Sequence, residues 1–268
     1  MCVGLIWSFY FLEDRKGALT IAFLDVGQGD AIFIESPTGT QIVIDGGPDA
    51  SVVQGLSDVM NIADRSLDAI VVTNPDQDHF AGFLPVLSRY RVGAEFEAGT
   101  MQDSTTYKAF RALLKEKGVE TTLARRGQTI DIGGGAYLRI LFPDRDVPDL
   151  ASNTGSIVMQ LVYGKTKVML MGDTVDEVEN YIASLDGMSL KSQILKVGHH
   201  GSRTSTGEAL LKNVSPEVAV LSLGCDNSYG HPHKEVTERL AKYGVEQLSL
   251  CEEGTVIYRS DGESWVRK

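Results

Sequence analysis

Cysteine is scarce in this chain of 268 residues: Cys2, Cys225 and Cys251 are far apart and form no CxxC pair. That spacing argues against a cysteine zinc knuckle and predicts no disulfide framework, and it leaves the redox compartment open. Positive charge is also in short supply, with 25 Lys plus Arg against 36 Asp plus Glu and a net charge of −11. A broad electrostatic grip on nucleic acid needs a basic face, so this balance weighs against one. It does not exclude a nucleic-acid enzyme, because bound divalent metals supply positive charge where phosphates would sit. No internal repeat, low-complexity tract or linker interrupts the sequence. Hydrophobic content of 43% and charged content of 23% suit a globular protein with one large domain or two small ones.

The N-terminus is nearly continuous apolar sequence from Met1 to Leu12, and charges follow at once in Glu13, Asp14, Arg15 and Lys16. It falls short of the about 20 residues that a membrane-spanning helix needs. No basic region precedes it and no small-residue cleavage site is clear. A first strand, a signal-like segment and the end of a longer span all remain readings of it. A membrane-proximal remnant is favoured, since exposed aromatics rarely open a soluble domain. The chain thus divides into an apolar segment, 1–17, and a globular part, 18–268.

From Leu19 the pattern turns to short strands. Leu19 to Leu24, Ala31 to Glu35 and Gln41 to Ile44 predict an antiparallel meander that ends in Asp45-Gly46-Gly47-Pro48. A helix is expected over Asp49 to Arg65, a strand over Leu67 to Val72, and a helix from Phe80 to Tyr90. Ser104 to Lys117 reads as a helix stopped by Gly118. Short strands follow, then a hairpin around Gly164-Lys165 that leads into Gly172-Asp173 and a helix with an acidic first turn. The strand Ile194 to Val197 ends in Gly198-His199-His200-Gly201-Ser202, and Gly230-His231-Pro232-His233 opens a helix to Tyr243. Gln247 to Cys251 is expected to be a strand. Two groups of strands, each followed by helices, suggest two sheets with helices outside them.

The polar residues share one placement. All five histidines (His79, His199, His200, His231 and His233) fall in loops at the ends of strands, and Asp173 does too. Layered folds build sites in this way. In Asn74-Pro75-Asp76-Gln77-Asp78-His79, three carboxylate or imidazole groups lie within four positions, which a divalent metal between them would relieve. A polar loop whose aspartates cap the next helix is the plainer alternative.

In order along the chain, Leu24-Asp25-Val26-Gly27-Gln28-Gly29-Asp30, Asp45-Gly46-Gly47, Asn74-Pro75-Asp76-Gln77-Asp78-His79, Gly172-Asp173, His199-His200-Gly201-Ser202 and Gly230-His231-Pro232-His233 resemble the metallo-β-lactamase-like domain of the ComEC competence family. The resemblance runs from about Leu19 to about Gly254. It implies an α/β fold, a four-layer αββα sandwich, with a metal site at one edge of the two sheets. It also implies a bacterial hydrolase using a metal-activated water, in a family whose domain is thought to be a nuclease degrading the DNA strand not imported during transformation.

The superfamily's metal motif is HxHxDH. Here Asn74 stands at its first histidine and Asp76 at its second, while Asp78 and His79 match. Asp173 matches the carboxylate that bridges two metals, His199 the later histidine ligand, and Asn153 falls where related sequences carry a polar residue. The implied ligands are therefore Asp76, Asp78, His79, Asp173, His199 and, weakly, Asn74, for one or two divalent ions. Asp78, His79, Asp173 and His199 form a mixed nitrogen and oxygen set suited to Zn²⁺ or Mn²⁺. Asp76, Asp173 and the amides of Asn74 or Asn153 would make a weaker oxygen site, matched to Mn²⁺ or Mg²⁺ or left empty.

Asp78, His231, His200 and Lys196 are the expected catalytic residues, acting on the attacking water, the phosphate or the leaving group. Gly201, Ser202 and Arg203 are expected to bind phosphate oxygens. Asp45 is expected to hold the loop under the metal, and Asp25 and Asp30 to form turns or support the site.

The function expected is metal-dependent hydrolysis of a phosphodiester, most concretely by a nuclease acting on DNA. A hydrolase of a phosphocholine-type or other small ester and a metal-poor, non-catalytic binding domain are the alternatives. The partners implied are a phosphoester substrate, in the first place nucleic acid, and a membrane tether at the N-terminus; no protein partner is specified. The implied location is the extracytoplasmic face of a bacterial membrane, or outside the cell.

Overall fold

The computed structural model describes residues 17–61 and 63–268, so the apolar stretch from Met1 to Leu12 lies outside the described residues. The expected meander is present as β1 (Leu19–Phe23), β2 (Ala31–Glu35) and β3 (Gln41–Gly46), paired antiparallel. After β3 the chain alternates strand and helix: α1 (Ser51–Val59), β4 (Ser66–Val72), α2 (Gln77–Phe80), α3 (Phe83–Arg89), β5 (Arg91–Glu97), α4 (Thr105–Lys117) and β6 (Glu120–Leu123). Strands β3 to β6 run parallel, each crossing over to the next.

The second half repeats this plan. Strands β7 (Thr129–Gly133), β8 (Ala136–Phe142), β9 (Val158–Tyr163) and β10 (Thr166–Leu170) form a second meander. Parallel crossovers follow through α5 (Asp176–Asp186), β11 (Ile194–Lys196), α6 (Glu208–Val214), β12 (Val218–Leu221), α7 (Lys234–Lys242) and β13 (Glu246–Ser249). A short α8 (Leu250–Glu253) returns the chain through β14 (Val256–Ser260) and β15 (Trp265–Arg267) to the first sheet. Among the described residues the strand orders are β15-β14-β1-β2-β3-β4-β5-β6 and β13-β12-β11-β10-β9-β8-β7.

Residue alternation explains the layers. On β2 and β3 every residue is buried, on both faces, as expected for strands with no face left to water. Ile32, Ile34, Ile42 and Ile44 meet Leu138, Leu161, Val168 and Ile194 of the second sheet. Their alternates Phe33 and Val43 pack under Val52 and Leu56 of α1 and Phe83 of α3. On the far side Met169, Leu195 and Ala219 pack under Ile182, Leu211 and Val236. The result is the four-layer αββα sandwich.

Helix α4 begins and ends as expected, with Ser104 Oγ accepting from the Tyr107 amide at 3.2 Å and Gly118 closing it at φ 70°. Three expectations need correction. The helix expected over Asp49 to Arg65 covers only Ser51–Val59. The one expected from Phe80 to Tyr90 is two short helices, α2 and α3. Between them the Gly82 amide donates to the Gly47 carbonyl at 2.9 Å, and a side chain at Gly82 would collide with the Gly46 carbonyl oxygen. The backbone is thus pressed onto the end of β3, which breaks the helix.

The third correction concerns cysteine. Cys225 and Cys251 form a disulfide, with Cα atoms 5.2 Å apart. The strand expected over Gln247 to Cys251 ends at Ser249, and Cys251 lies in α8 beside the loop that follows β12. Spacing along the chain could not reveal that proximity.

Candidate metal centre

The chemistry-bearing residues collect at one edge, at or beyond the C-terminal ends of parallel strands. Asp45 ends β3, Asn74 to His79 follow β4, Asp173 follows β10, His199 and His200 follow β11, and His231 lies beyond β12. Three of these residues adopt left-handed backbone angles that only glycine takes freely: Asp45 (φ 58°), His199 (φ 46°) and His200 (φ 52°). Such strain, about 1–3 kcal/mol per residue, persists where the surroundings over-determine it. Gly29 is required for a different reason. A side chain there would strike the Asp78 carbonyl, which accepts from the Asp30 amide at 3.2 Å.

Two buried histidines face the same pair of carboxylates. Asp45 accepts from the Thr73 amide at 2.8 Å, from the Thr73 hydroxyl at 2.6 Å and from His79 Nδ1 at 2.9 Å. With the proton of His79 on Nδ1, its Nε2 lone pair points at Asp173 Oδ2, 3.1 Å away, and lies 4.0 Å from Asp78 Oδ1. His200 is held likewise, Nδ1 lying 2.8 Å from the Ser222 carbonyl and 3.4 Å from Asp30 Oδ1. Its Nε2 sits 3.3 Å from Asp78 Oδ2 and 3.4 Å from Asp173 Oδ1.

Lone pairs directed at one another across such distances require a positive charge between them. Burial pushes the pKa of His79 down, but Asp173, Asp45 and Asp78 outweigh it and raise it well above the ordinary imidazole value. For His200 burial is likewise overcome, by Asp173 and Asp30. Asp173 is held well below the carboxylate range because the two histidines outweigh its burial. His79 Nε2, His200 Nε2 and Asp173 Oδ1 are buried and make no hydrogen bond. Buried polar atoms seldom lack partners, so three unpartnered ones beside the same carboxylates fit a bound cation. Donor atoms of Asp78, His79 and His200 lie within 4.8 Å of one another, as do those of Asp30, Asp173 and His200 and those of Asp30, Asp45 and His79. The residues present fit a divalent metal.

A profile of the metallo-beta-lactamase superfamily matches residues 24–224, three-quarters of the chain and all of this edge except His231 and His233. The chain belongs to that superfamily. It is 30% identical over 278 aligned residues to ComE operon protein 3 of Bacillus subtilis (strain 168), covering 97% of this chain and 35% of that one. It is 31% identical to Recombination protein 2 of Haemophilus influenzae over 94% of this chain and 30% of that one. The chain thus spans about a third of the length of these relatives. The metallo-beta-lactamase fold protein YhfI of Bacillus subtilis shares the fold, with a TM-score of 0.60 at 11% identity, 90% of this chain and 100% of that one being covered.

The two adjacent histidines face different partners. The sequence pattern pointed to His199 as the later ligand, but His200 reaches Asp78 and Asp173. His199 Nε2 instead faces Asn153 Nδ2 at 3.3 Å, and its Nδ1 faces Thr204 Oγ1 at 3.3 Å. Asn74, fully buried, donates to Asn153 Oδ1 at 2.7 Å and accepts from the Asp76 amide at 2.9 Å. The Asp76 carboxylate accepts from Ser152 Oγ at 2.8 Å and from Gln102 Nε2 at 3.5 Å.

Lys196, expected at the phosphate, is buried, with its ammonium on Asp30 Oδ2 at 2.7 Å and the Val197 carbonyl at 2.9 Å. It reaches the centre only through Asp30 and His200. The Ser202 amide is taken by the His199 carbonyl at 2.8 Å, and the Arg203 amide donates to His233 Nδ1 at 3.2 Å. The Gly201 carbonyl accepts from the His233 amide at 2.9 Å, so the loop that bears these three residues is tied to the start of α7.

His231 is only partly buried, its ring 5.8 Å from that of His199 and 6.4 Å from that of His200. Burial and the two neighbouring imidazoles bring its pKa down to about 4, which keeps it neutral at pH 7. Sequence reading missed the Ser222 carbonyl that orients His200, for which no side-chain signal exists. Among the described residues no helix is long and apolar enough to cross a membrane.

Proposed function

We propose that this domain is a metal-dependent phosphodiester hydrolase that acts on DNA. The observation that carries the reading is that His79 Nε2 and His200 Nε2, buried and without hydrogen bonds, both face Asp78 and Asp173, whose Oδ1 is likewise buried and unbonded. Asp78, His79, Asp173 and His200 would hold the ion, a mixed nitrogen and oxygen set suited to Zn²⁺ or Mn²⁺. When bound, a divalent cation lowers the pKa of water and polarises a phosphoryl oxygen.

The chain's own residues supply the rest. Asp45 orients His79 and the Ser222 carbonyl, with Asp30 nearby, orients His200, so that their Nε2 atoms would offer their lone pairs to the ion. Asp78, about one-third exposed, is the carboxylate open enough to take a proton from an attacking water. Neutral His231, beside His199 and His200, would donate an N–H to a phosphoryl oxygen or to the leaving group. Arg203, exposed on the loop that follows His200, is the candidate substrate contact; Ser202 beside it is buried. Asp76 is a weaker ligand than Asp78, since its oxygens already accept from Ser152 and Gln102.

The choice of DNA rests on the resemblance to the ComEC competence family and on similarity to a relative named for recombination. The Cys225–Cys251 disulfide supports an extracytoplasmic setting, because disulfides persist in oxidising compartments. The net charge of −11 favours a second reading, hydrolysis of a small phosphodiester that needs no basic track.

Turnover of single- and double-stranded DNA, RNA and bis(p-nitrophenyl) phosphate with Mn²⁺, Mg²⁺ or Zn²⁺ separates the two. DNA cleavage lost in Asp173→Ala is expected. Cleavage of the small ester alone would favour the second reading, and no turnover on any substrate would overturn both.

A further inference from the structure

The two flanks of the cleft differ in how their polar atoms are satisfied. On the His79 and His200 flank, two buried nitrogens and a carboxylate oxygen lie without hydrogen-bond partners. On the other flank the atoms are saturated. Asn74 Nδ2 donates to Asn153 Oδ1, and Asn74 Oδ1 accepts from the Asp76 amide. The oxygen of Asn153 is therefore an acceptor toward Asn74, and its nitrogen turns to His199 Nε2. That makes His199 Nε2 an acceptor as well, with the hydrogen of the ring on Nδ1 toward Thr204, whose hydroxyl meets Ser202 Oγ at 3.1 Å. The Asp76 carboxylate completes the flank with a donor on each oxygen.

A cation binds through lone pairs. On this flank the one imidazole lone pair, on His199 Nε2, faces the Asn153 amide nitrogen, each oxygen already accepts an N–H or O–H, and amide oxygens are weak ligands beside imidazole. Turning the buried Asn74 amide toward a cation would disturb both the bond its oxygen accepts from the Asp76 amide and the one its nitrogen donates to Asn153, a cost that a weak ligand does not repay.

We propose that the domain binds one divalent cation per chain, among Asp78, His79, Asp173 and His200, and that Asn74, Asn153 and His199 form a closed hydrogen-bonded unit that keeps a second cation out. The proposal rests on the metal-binding reading of the site given above and adds the number of ions and the residues that set it. It also gives His199 a task distinct from that of its neighbour: His199 closes the amide unit, and His200 faces the ion.

Native mass spectrometry and calorimetric titration of the full chain with Mn²⁺ and with Zn²⁺ test this without reference to activity. Wild type is expected to bind one ion. Asn74→His combined with Asn153→His puts two imidazoles where two amides stood, and is expected to bind two. Asn153→Asp, which offers a carboxylate in nearly the same volume, gives the same readout should the double variant fail to fold. Two ions on wild type would overturn the inference while leaving a metal site in place. No ion on wild type would overturn the metal reading itself. A folded double variant that still binds one ion would show that the amide unit is not the barrier.

Discussion

Asp30, just before β2, and Asp45, at the end of β3, sit side by side at one end of the paired strands and each faces the outer nitrogen of one site histidine, yet the protein compensates their burial in opposite ways. Asp45 is answered by neutral donors, the amide and hydroxyl of Thr73, together with His79. Burial wins there, and its pKa lies above the ordinary value despite His79 and Thr73. Asp30 is answered by a full charge: burial alone would raise it, but the Lys196 ammonium and then His200 bring it down to about 2. The Asp45 contacts stay within the first sheet, whereas Lys196 comes from β11 of the second. One support is local, and the other crosses the core to fix the two sheets at the site.

Removing the cross-sheet charge should therefore have the largest effect. Asp30→Asn leaves the buried Lys196 ammonium without a counter-charge, and a loss of about 3–5 kcal/mol is expected from urea unfolding. Adding Lys196→Met should return most of it, because a buried ion pair replaced by apolar side chains is often neutral. A loss below about 1 kcal/mol in the single variant would refute this role for the pair. Opening the disulfide comes next. It anchors the loop in which the Gly224 amide donates to Gln28 Oε1 at 3.3 Å, just ahead of Asp30. Reduction, or Cys251→Ser, is expected to cost about 3 kcal/mol, read as a shift in the urea midpoint with and without reductant.

Asp45→Asn should be milder for stability, about 1 kcal/mol, since the Thr73 amide keeps an acceptor. Its signature is metal affinity, expected to fall about 10–100-fold as His79 loses its orienting carboxylate. Equal stability losses in Asp45→Asn and Asp30→Asn would erase the contrast between the two supports.

A third buried carboxyl, Glu179, sharpens it further. Burial lifts its pKa to about 8, against the pull of the Gly207 and Thr206 amides that its oxygens accept at 2.7 Å. A carboxyl whose pKa rises on folding holds its proton more tightly when folded. Its contribution is then complete below its ordinary 4.5 and is lost as the pH climbs through about 8. Stability should fall across that window, and Glu179→Gln should flatten the slope in unfolding measured at several pH values, with little change at the low end.

The layers were legible because burial on both faces leaves a plain mark: apolar runs such as Ala31–Glu35 and Gln41–Ile44, punctuated by glycine and aspartate. The loops that carry the site were legible for the same reason, since histidines and aspartates outside any periodic pattern stand out against it. Asp78, His79 and Asp173, drawn from separate parts of the chain, do meet. The break between α2 and α3 was hidden, because the obstacle is the backbone of β3, which has no counterpart in the local pattern.

Alone, then, the sequence indicated two sheets with helices outside them and the identity of the strand ends that bear functional groups. Both follow from local periodicity and residue type. Only the tertiary structure decided which of the adjacent histidines turns inward, since His199 and His200 are chemically identical and both sit in strained left-handed backbone. It alone paired Cys225 with Cys251 and placed Lys196 against Asp30, 166 positions away. Those choices depend on directions and distances across the core, which the order of residues along the chain does not encode.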